Sequence, residues 1–217
     1  MLLSPTWFFG YDIVLEISFA IITFIVAMLG FKVYKATSQK QPLYLAWAFL
    51  FISISNILLS ILNLLILTKL NENICGTIKI HSVTTFNTIG IYSHMFFMII
   101  GLAVLTFMTL KSKDIMGLII ITSLSLIAVF LSVNPLYMFY AVSSLLLIII
   151  SWYFIKNYLK NKKTKTLLIA IVFLFLLFGS IHFLFAVNHQ LFYVIGHILE
   201  LIAYSLVLLN FFMVLKR

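Results

Sequence analysis

The feature that most constrains this chain is a series of seven apolar segments, each roughly as long as the 20 residues that a helix needs to cross a bilayer. A helix satisfies its own backbone hydrogen bonds, so it can cross hydrocarbon that offers no water. The composition agrees, because 64% of the residues are hydrophobic and 9% are charged, outside the range of soluble globular domains. The sequence therefore predicts an all-α integral membrane bundle of seven transmembrane helices.

The seven predicted spans differ in length, and the fourth is the shortest. Asn134 and Pro135 follow it and predict a turn, because Pro lacks the N–H that would continue the helical hydrogen bonds. Spans four and five are therefore predicted to be separate helices that are tightly joined. We expect residues 1–217 to form one seven-helix domain with no soluble domain. The predicted spans are 11–33, 43–67, 86–110, 115–133, 136–158, 166–187 and 191–215.

The basic residues predict the orientation of the chain, because Lys and Arg in short loops stay on the cytoplasmic side of a membrane. Twelve of the 14 lie on one side of the predicted bundle, and only Lys69 and Lys79 lie on the other. We therefore expect a multi-pass protein of the cell membrane, with the N-terminus outside and the C-terminus in the cytoplasm. The net charge of +9 does not indicate a nucleic-acid partner, because anionic lipid headgroups beside the loops explain it. The 12 residues are Lys32, Lys35, Lys40, Lys111, Lys113, Lys156, Lys160, Lys162, Lys163, Lys165, Lys216 and Arg217.

Five ionisable residues within four of the spans predict a single site. Such residues are costly in hydrocarbon and usually functional. A rise of 1.5 Å per residue places all five about 8 to 14 Å below the outer boundary. Asp12 shares a helix face with Glu16, and Asn63 on span two reaches a similar depth. The five residues are Glu16, His94, His182, His197 and Glu200.

Three imidazoles and two carboxylates at one depth favour a transition metal, with zinc preferred and iron or copper as alternatives. We predict His94, His182, His197 and Glu200 as the ligands. In a hydrolytic version, Glu16 or Glu200 would be the catalytic group that activates a metal-bound water. His197 and Glu200 are three residues apart, so they share one helix face.

Other interpretations of the same residues remain open. Hydrogen bonds or ion pairs among them could fix helix packing or carry protons without binding anything. Haem between His94 and His197 is less favoured, since no Arg lies near for the propionates. A retinal Schiff base is disfavoured because the last span has no Lys before Lys216. A channel is also disfavoured, because no span carries a continuous polar stripe.

Glu16 on the first span, the pair Ser93 and His94, and His197 on the last span resemble membrane hydrolases related to alkaline ceramidases and adiponectin-type receptors. This resemblance implies a zinc-bound water that attacks a lipid amide, and hence membrane lipids and a lipid-like substrate as partners. The chain departs from that family at the last span, where the family has two His separated by three residues. Here His197 is followed by Glu200.

The last span also resembles the final helix of seven-span sensor-input modules attached to bacterial and archaeal kinases. The similar residues run from Gly196 through His197 and Glu200 to Tyr204. This resemblance implies a sensor without enzymatic activity, which would signal through a separate cytoplasmic or membrane protein. The basic segment 156–165 is the expected contact for such a partner. The sequence leaves enzyme and sensor open.

Overall fold

The computed structural model describes residues 5, 7–8, 10–71, 77–111, 114–186 and 189–215. These residues form seven helices and contain no strand, which confirms the predicted all-α fold. Most helix ends lie within a few residues of the predicted spans, while the second and third helices extend further at the connection between them. The helices are α1 (Tyr11–Thr37), α2 (Lys40–Asn71), α3 (Thr77–Leu110), α4 (Ile115–Phe130), α5 (Pro135–Asn161), α6 (Thr164–Ala186) and α7 (Gln190–Leu215).

Six of the seven helices are long and apolar enough to cross a membrane, and α4 is the exception. Its 16 residues extend about 24 Å, which is shorter than the roughly 30 Å of bilayer hydrocarbon. The helix ends at Phe130, before the predicted end at 133. Residues 131–134 are not helical and connect α4 to α5. Asn134 accepts a hydrogen bond from the Tyr137 N–H, and Pro135 occupies the first turn of α5. The predicted boundary at these two residues is therefore confirmed.

The spanning helices form a closed ring in the order α1, α2, α3, α5, α6, α7 and back to α1. Within the described chain, close backbone contacts occur only between neighbours on this ring and between α4 and its neighbours α3 and α5. No helix crosses the middle of the ring, and α4 packs outside it. The ring arrangement therefore leaves its centre to side chains alone.

Small residues and serine hydroxyls hold neighbouring ring helices together. The Ser53 hydroxyl on α2 donates to the Ala20 carbonyl on α1 at 2.8 Å, and the Ser151 hydroxyl on α5 donates to the Phe173 carbonyl on α6 at 3.1 Å. Gly101 on α3 lies so close to α2 that an added Cβ would be 2.9 Å from the Ala48 carbonyl oxygen. Small residues of this kind let helix backbones approach in membranes.

We expect Gly101→Ala to lower the thermal stability of the purified protein, because the new methyl group meets α2 backbone that cannot move aside easily. Overpacking of this kind costs about 1–3 kcal/mol. Thermal unfolding in detergent measures the change. Leu124→Ala on α4 is the control, because Leu124 is 68% exposed; equal melting temperatures for wild type and Gly101→Ala would contradict the close approach.

Candidate functional site

The ring encloses a cavity of about 80 Å³, here called the first cavity. Every ring helix contributes to its wall, and α4 contributes none. The volume is enough for several water molecules, since one needs roughly 10–15 Å³. The lining residues are Glu16 and Phe19 on α1; Phe49, Ile52, Asn56 and Leu59 on α2; His94, Met98, Leu102 and Leu105 on α3; Phe139, Tyr140, Ser143 and Leu147 on α5; Phe173, Leu176, Ser180 and Phe183 on α6; and Tyr193, His197, Glu200 and Tyr204 on α7.

Glu16 is almost completely buried, with 1% of its surface exposed. The Asn63 side-chain amide on α2 donates to both Glu16 carboxyl oxygens, at 2.9 and 3.0 Å. The similar depth predicted for these two residues is therefore matched by direct contact. Each carboxyl oxygen keeps a further lone pair, so Glu16 can accept hydrogen bonds from a second partner.

Asp12, one turn before Glu16, makes hydrogen bonds to the backbone at the start of α1. Its Oδ1 accepts hydrogen bonds from the backbone N–H groups of Gly10 at 2.8 Å and Ile13 at 2.9 Å. Gly10 has a φ of 110°, a conformation that residues with a side chain rarely adopt. Asp12 stabilises the start of α1 and does not line the first cavity.

His94 is fixed by Ser55 on the neighbouring helix α2. The Ser55 hydroxyl donates to the His94 carbonyl oxygen at 2.8 Å, and the same hydroxyl lies 2.8 Å from His94 Nδ1. Nδ1 also lies 3.3 Å from the Ser55 carbonyl oxygen. A carbonyl only accepts, so these contacts assign the proton to Nδ1 and leave Nε2 of a neutral imidazole with its lone pair.

His197 lies in a box of aromatic rings. Its ring centroid is 4.5 Å from that of Tyr193, 5.1 Å from Phe183, 6.0 Å from Phe8 and 6.2 Å from Phe19. Only 5% of the residue is exposed, and neither ring nitrogen has a hydrogen-bond partner in the described chain.

Glu200 lies three residues after His197 on α7, and its side chain is less deeply buried. Its Oε2 lies 3.6 Å from His197 Nδ1, and 18% of its side chain is exposed. This distance is too long for a hydrogen bond and marks a weak ion pair only when His197 is protonated. His197 and Glu200 therefore both line the first cavity, and they do not form a hydrogen bond with each other.

His182 is not brought to the first cavity. It is half-buried on α6, and its Nδ1 lies 2.7 Å from the Phe178 carbonyl one turn earlier on the same helix. Among the lining residues of α6, the neighbouring Phe183 takes the inward position. The structure therefore joins Glu16, His94, His197 and Glu200 around one cavity and separates His182 from them.

Several lining residues were not predicted from the sequence, above all the tyrosines of α5 and α7. Tyr193, His197, Glu200 and Tyr204 follow spacings of four, three and four residues, which place them on one face of α7. That spacing was the signal that could have identified Tyr193 and Tyr204. No comparable pattern marks Tyr140.

Polar atoms without partners converge on the first cavity. Within the described chain, the buried unpartnered side-chain atoms include the Asn56 amide nitrogen, the Ser143 hydroxyl and both ring nitrogens of His197. Buried polar groups are normally satisfied by protein or by ordered water, so these atoms make the first cavity the candidate binding site.

No three His, Cys, Asp or Glu side chains in the described part of the chain come together in a group that could hold a metal ion. The predicted ligand set of His94, His182, His197 and Glu200 therefore gains no support from the geometry. Comparison with protein-family models, with curated proteins and with solved structures finds no match to this chain.

We expect Asn63→Leu to destabilise the protein by about 1–3 kcal/mol, because a buried carboxyl group then loses its donor. The combined variant Asn63→Leu with Glu16→Met should regain much of the loss, since both polar partners are then gone. Thermal unfolding measures both. Asn161→Leu is the control, because Asn161 is an exposed amide at the end of α5; equal effects of Asn161→Leu and Asn63→Leu would contradict the role of Asn63.

Proposed function

We propose that this membrane protein binds a small organic cation with N–H donors, of the guanidinium or ammonium class, in the first cavity. One observation carries the proposal. Two carboxyl groups, Glu16 and Glu200, line an aromatic cavity inside the ring, and no Lys or Arg is among the described residues of its wall.

The electrostatics of the wall favour a cation. A carboxylate away from water is costly unless a positive group pairs with it. Asn63 gives Glu16 hydrogen bonds but no charge, and the imidazole of His197 lies too far from Glu200 to hydrogen-bond with it. A bound cation would supply the missing positive charge to both carboxylates.

The aromatic side chains favour a cation with a delocalised or organic surface. The wall includes eight rings of Phe and Tyr, and cations are attracted to the faces of such rings. A guanidinium group can also donate two parallel hydrogen bonds to a carboxylate. The wall rings are Phe19, Phe49, Phe139, Tyr140, Phe173, Phe183, Tyr193 and Tyr204.

The non-enzymatic, sensing version of the predicted function agrees best with this site. A ligand in the first cavity would touch all six ring helices, so its binding energy can bias how they pack. A changed packing would alter the ends of the helices, including the basic segment 156–165 that is expected to meet a partner in the cytoplasm.

We expect [14C]guanidinium to bind the purified protein, and Glu16→Gln and Glu200→Gln each to weaken this binding. Loss of a charge-assisted hydrogen bond of about 1.5–3 kcal/mol corresponds to about 10- to 100-fold in affinity. Equilibrium dialysis in detergent at low micromolar protein gives the dissociation constants.

Asp114→Asn is the matched control for this experiment. Asp114 caps α4 outside the ring by accepting a hydrogen bond from the Met116 N–H, and Asn is an equally good cap. Binding in this variant should equal that of the wild type. Wild-type binding no stronger than that of Glu16→Gln would refute the proposal.

The metal-dependent hydrolase is the second candidate, because both His197 nitrogens are unpartnered and Nε2 of neutral His94 keeps its lone pair. These two imidazoles and Glu200 would have to move closer together to form a three-ligand zinc site that keeps one position for water, because no such group is assembled among the described residues. In that version Glu16 would act as the base.

Elemental analysis of purified protein tests this candidate directly. We expect one zinc, iron or copper ion per chain in the wild type if the hydrolase version holds, and none in His197→Ala or Glu200→Ala. His182→Ala should keep its metal, because His182 lies outside the first cavity. Equal metal content in wild type and His197→Ala would eliminate the candidate.

A further inference from the structure

A second cavity of about 360 Å³ lies between the ring helices and is open to the surface beside the exposed side chains of Gln39 and Gln41. The same six helices build its wall, again without α4. The lining residues are Gly30 and Val33 on α1; Gln39 in the following turn; Gln41, Pro42, Leu45 and Phe49 on α2; Met108 on α3; Tyr153, Phe154 and Asn157 on α5; Ile169, Val172 and Phe173 on α6; and Val207 and Asn210 on α7.

The two cavities follow one another along the axis of the ring. From the first to the second, lining residue numbers rise on α1 and α7 and fall on α2 and α6, as expected for helices that alternate in direction. Glu16 and Val33 on α1 are 17 residues apart, or about 26 Å along the helix. The two cavities together therefore cover most of the roughly 30 Å depth of a bilayer core.

Side chains separate the cavities. Phe49 and Phe173 line both of them, and both are buried. Phe154 stacks on Phe173 with ring centroids 4.7 Å apart. No backbone contact crosses the ring in the described chain, so the layer between the two spaces consists of packed side chains, with Leu147 and Ile150 beside these rings.

The second cavity offers neutral oxygen acceptors. Its wall contains the side-chain amides of Gln39, Gln41, Asn157 and Asn210, and no charged side chain is among its described lining residues. Asn210 is 5% exposed, and its amide oxygen has no hydrogen-bond partner. Amide oxygens can replace the water around a cation without holding it as tightly as a carboxylate does.

We infer that the ring is a passage for the same small organic cation, which moves from the carboxylates of the first cavity past Phe49 and Phe173 to the amides of the second. This inference rests on the proposed cation binding and adds movement through the membrane. The polar groups of the two ends come from different turns and different helices, with an apolar layer between them. A single span therefore shows no continuous polar stripe.

Uptake of [14C]guanidinium into liposomes that contain the purified protein tests the passage. Guanidinium stays charged at neutral pH, so it does not leak as a neutral base. An inside-negative potassium diffusion potential supplies the driving force. We expect uptake several-fold above that of protein-free liposomes, and uptake near the protein-free level for Glu16→Gln.

Two variants of the aromatic layer test the route. Phe173→Leu and Phe49→Leu should each raise the ratio of uptake to binding, because a smaller side chain obstructs the axis less. Phe178→Leu is the matched control on α6, because Phe178 is 50% exposed and lines neither cavity. Asn210→Leu should lower uptake by more than it lowers binding.

The outcomes separate the two proposals. Wild-type binding together with uptake no faster than in protein-free liposomes would overturn the passage and leave the binding site standing. Absence of guanidinium binding would overturn the proposed function and the passage with it. Uptake by Glu16→Gln equal to the wild-type rate would overturn the route through the first cavity.

Discussion

The structure depends on one constraint, which is that polar and ionisable side chains must avoid hydrocarbon. In a bilayer this cost is avoided only when such groups face protein or a water-accessible interior. Glu16 and His197 are buried, and both line the inside of a ring of six helices. The ring therefore provides an interior surface on which these side chains are shielded from lipid.

The contacts that hold the ring together lie between neighbouring helices. Helices in a membrane associate through close packing and hydrogen bonds, since lipid is as apolar as their side chains. Here the serine hydroxyls and Gly101 tighten the contacts between neighbours, while the middle contains side chains only. The proposed ligand in the first cavity would lie among side chains from every helix of the ring. The proposed sensing and the proposed passage both start from this arrangement, and both require binding there.

Four of the five residues predicted to share a site, Glu16, His94, His197 and Glu200, line one cavity. Their positions along the helices, which set the height of a residue on its helix, were the signal that grouped them. His182 does not line this cavity, because each residue turns the helix by about 100° and Phe183 takes the inward position on α6. Because α6 is apolar on all sides, its sequence does not indicate which of its residues face the interior of the ring. The pairing of His94 with Ser55 and of Glu16 with Asn63 likewise joins residues 39 and 47 positions apart, which no local pattern specifies.

The sequence by itself determined seven helices, the shortness of the fourth and the break at Asn134 and Pro135, because apolar length and proline chemistry act locally along the chain. Only the tertiary structure decided that six helices close into a ring, that α4 stays outside it, and that four ionisable residues share an aromatic wall whose described residues include no Lys or Arg. The physical reason is that contact with lipid does not favour one apolar helix face over another. The choice of neighbours is therefore made by packing and interhelical hydrogen bonds between residues far apart in the chain.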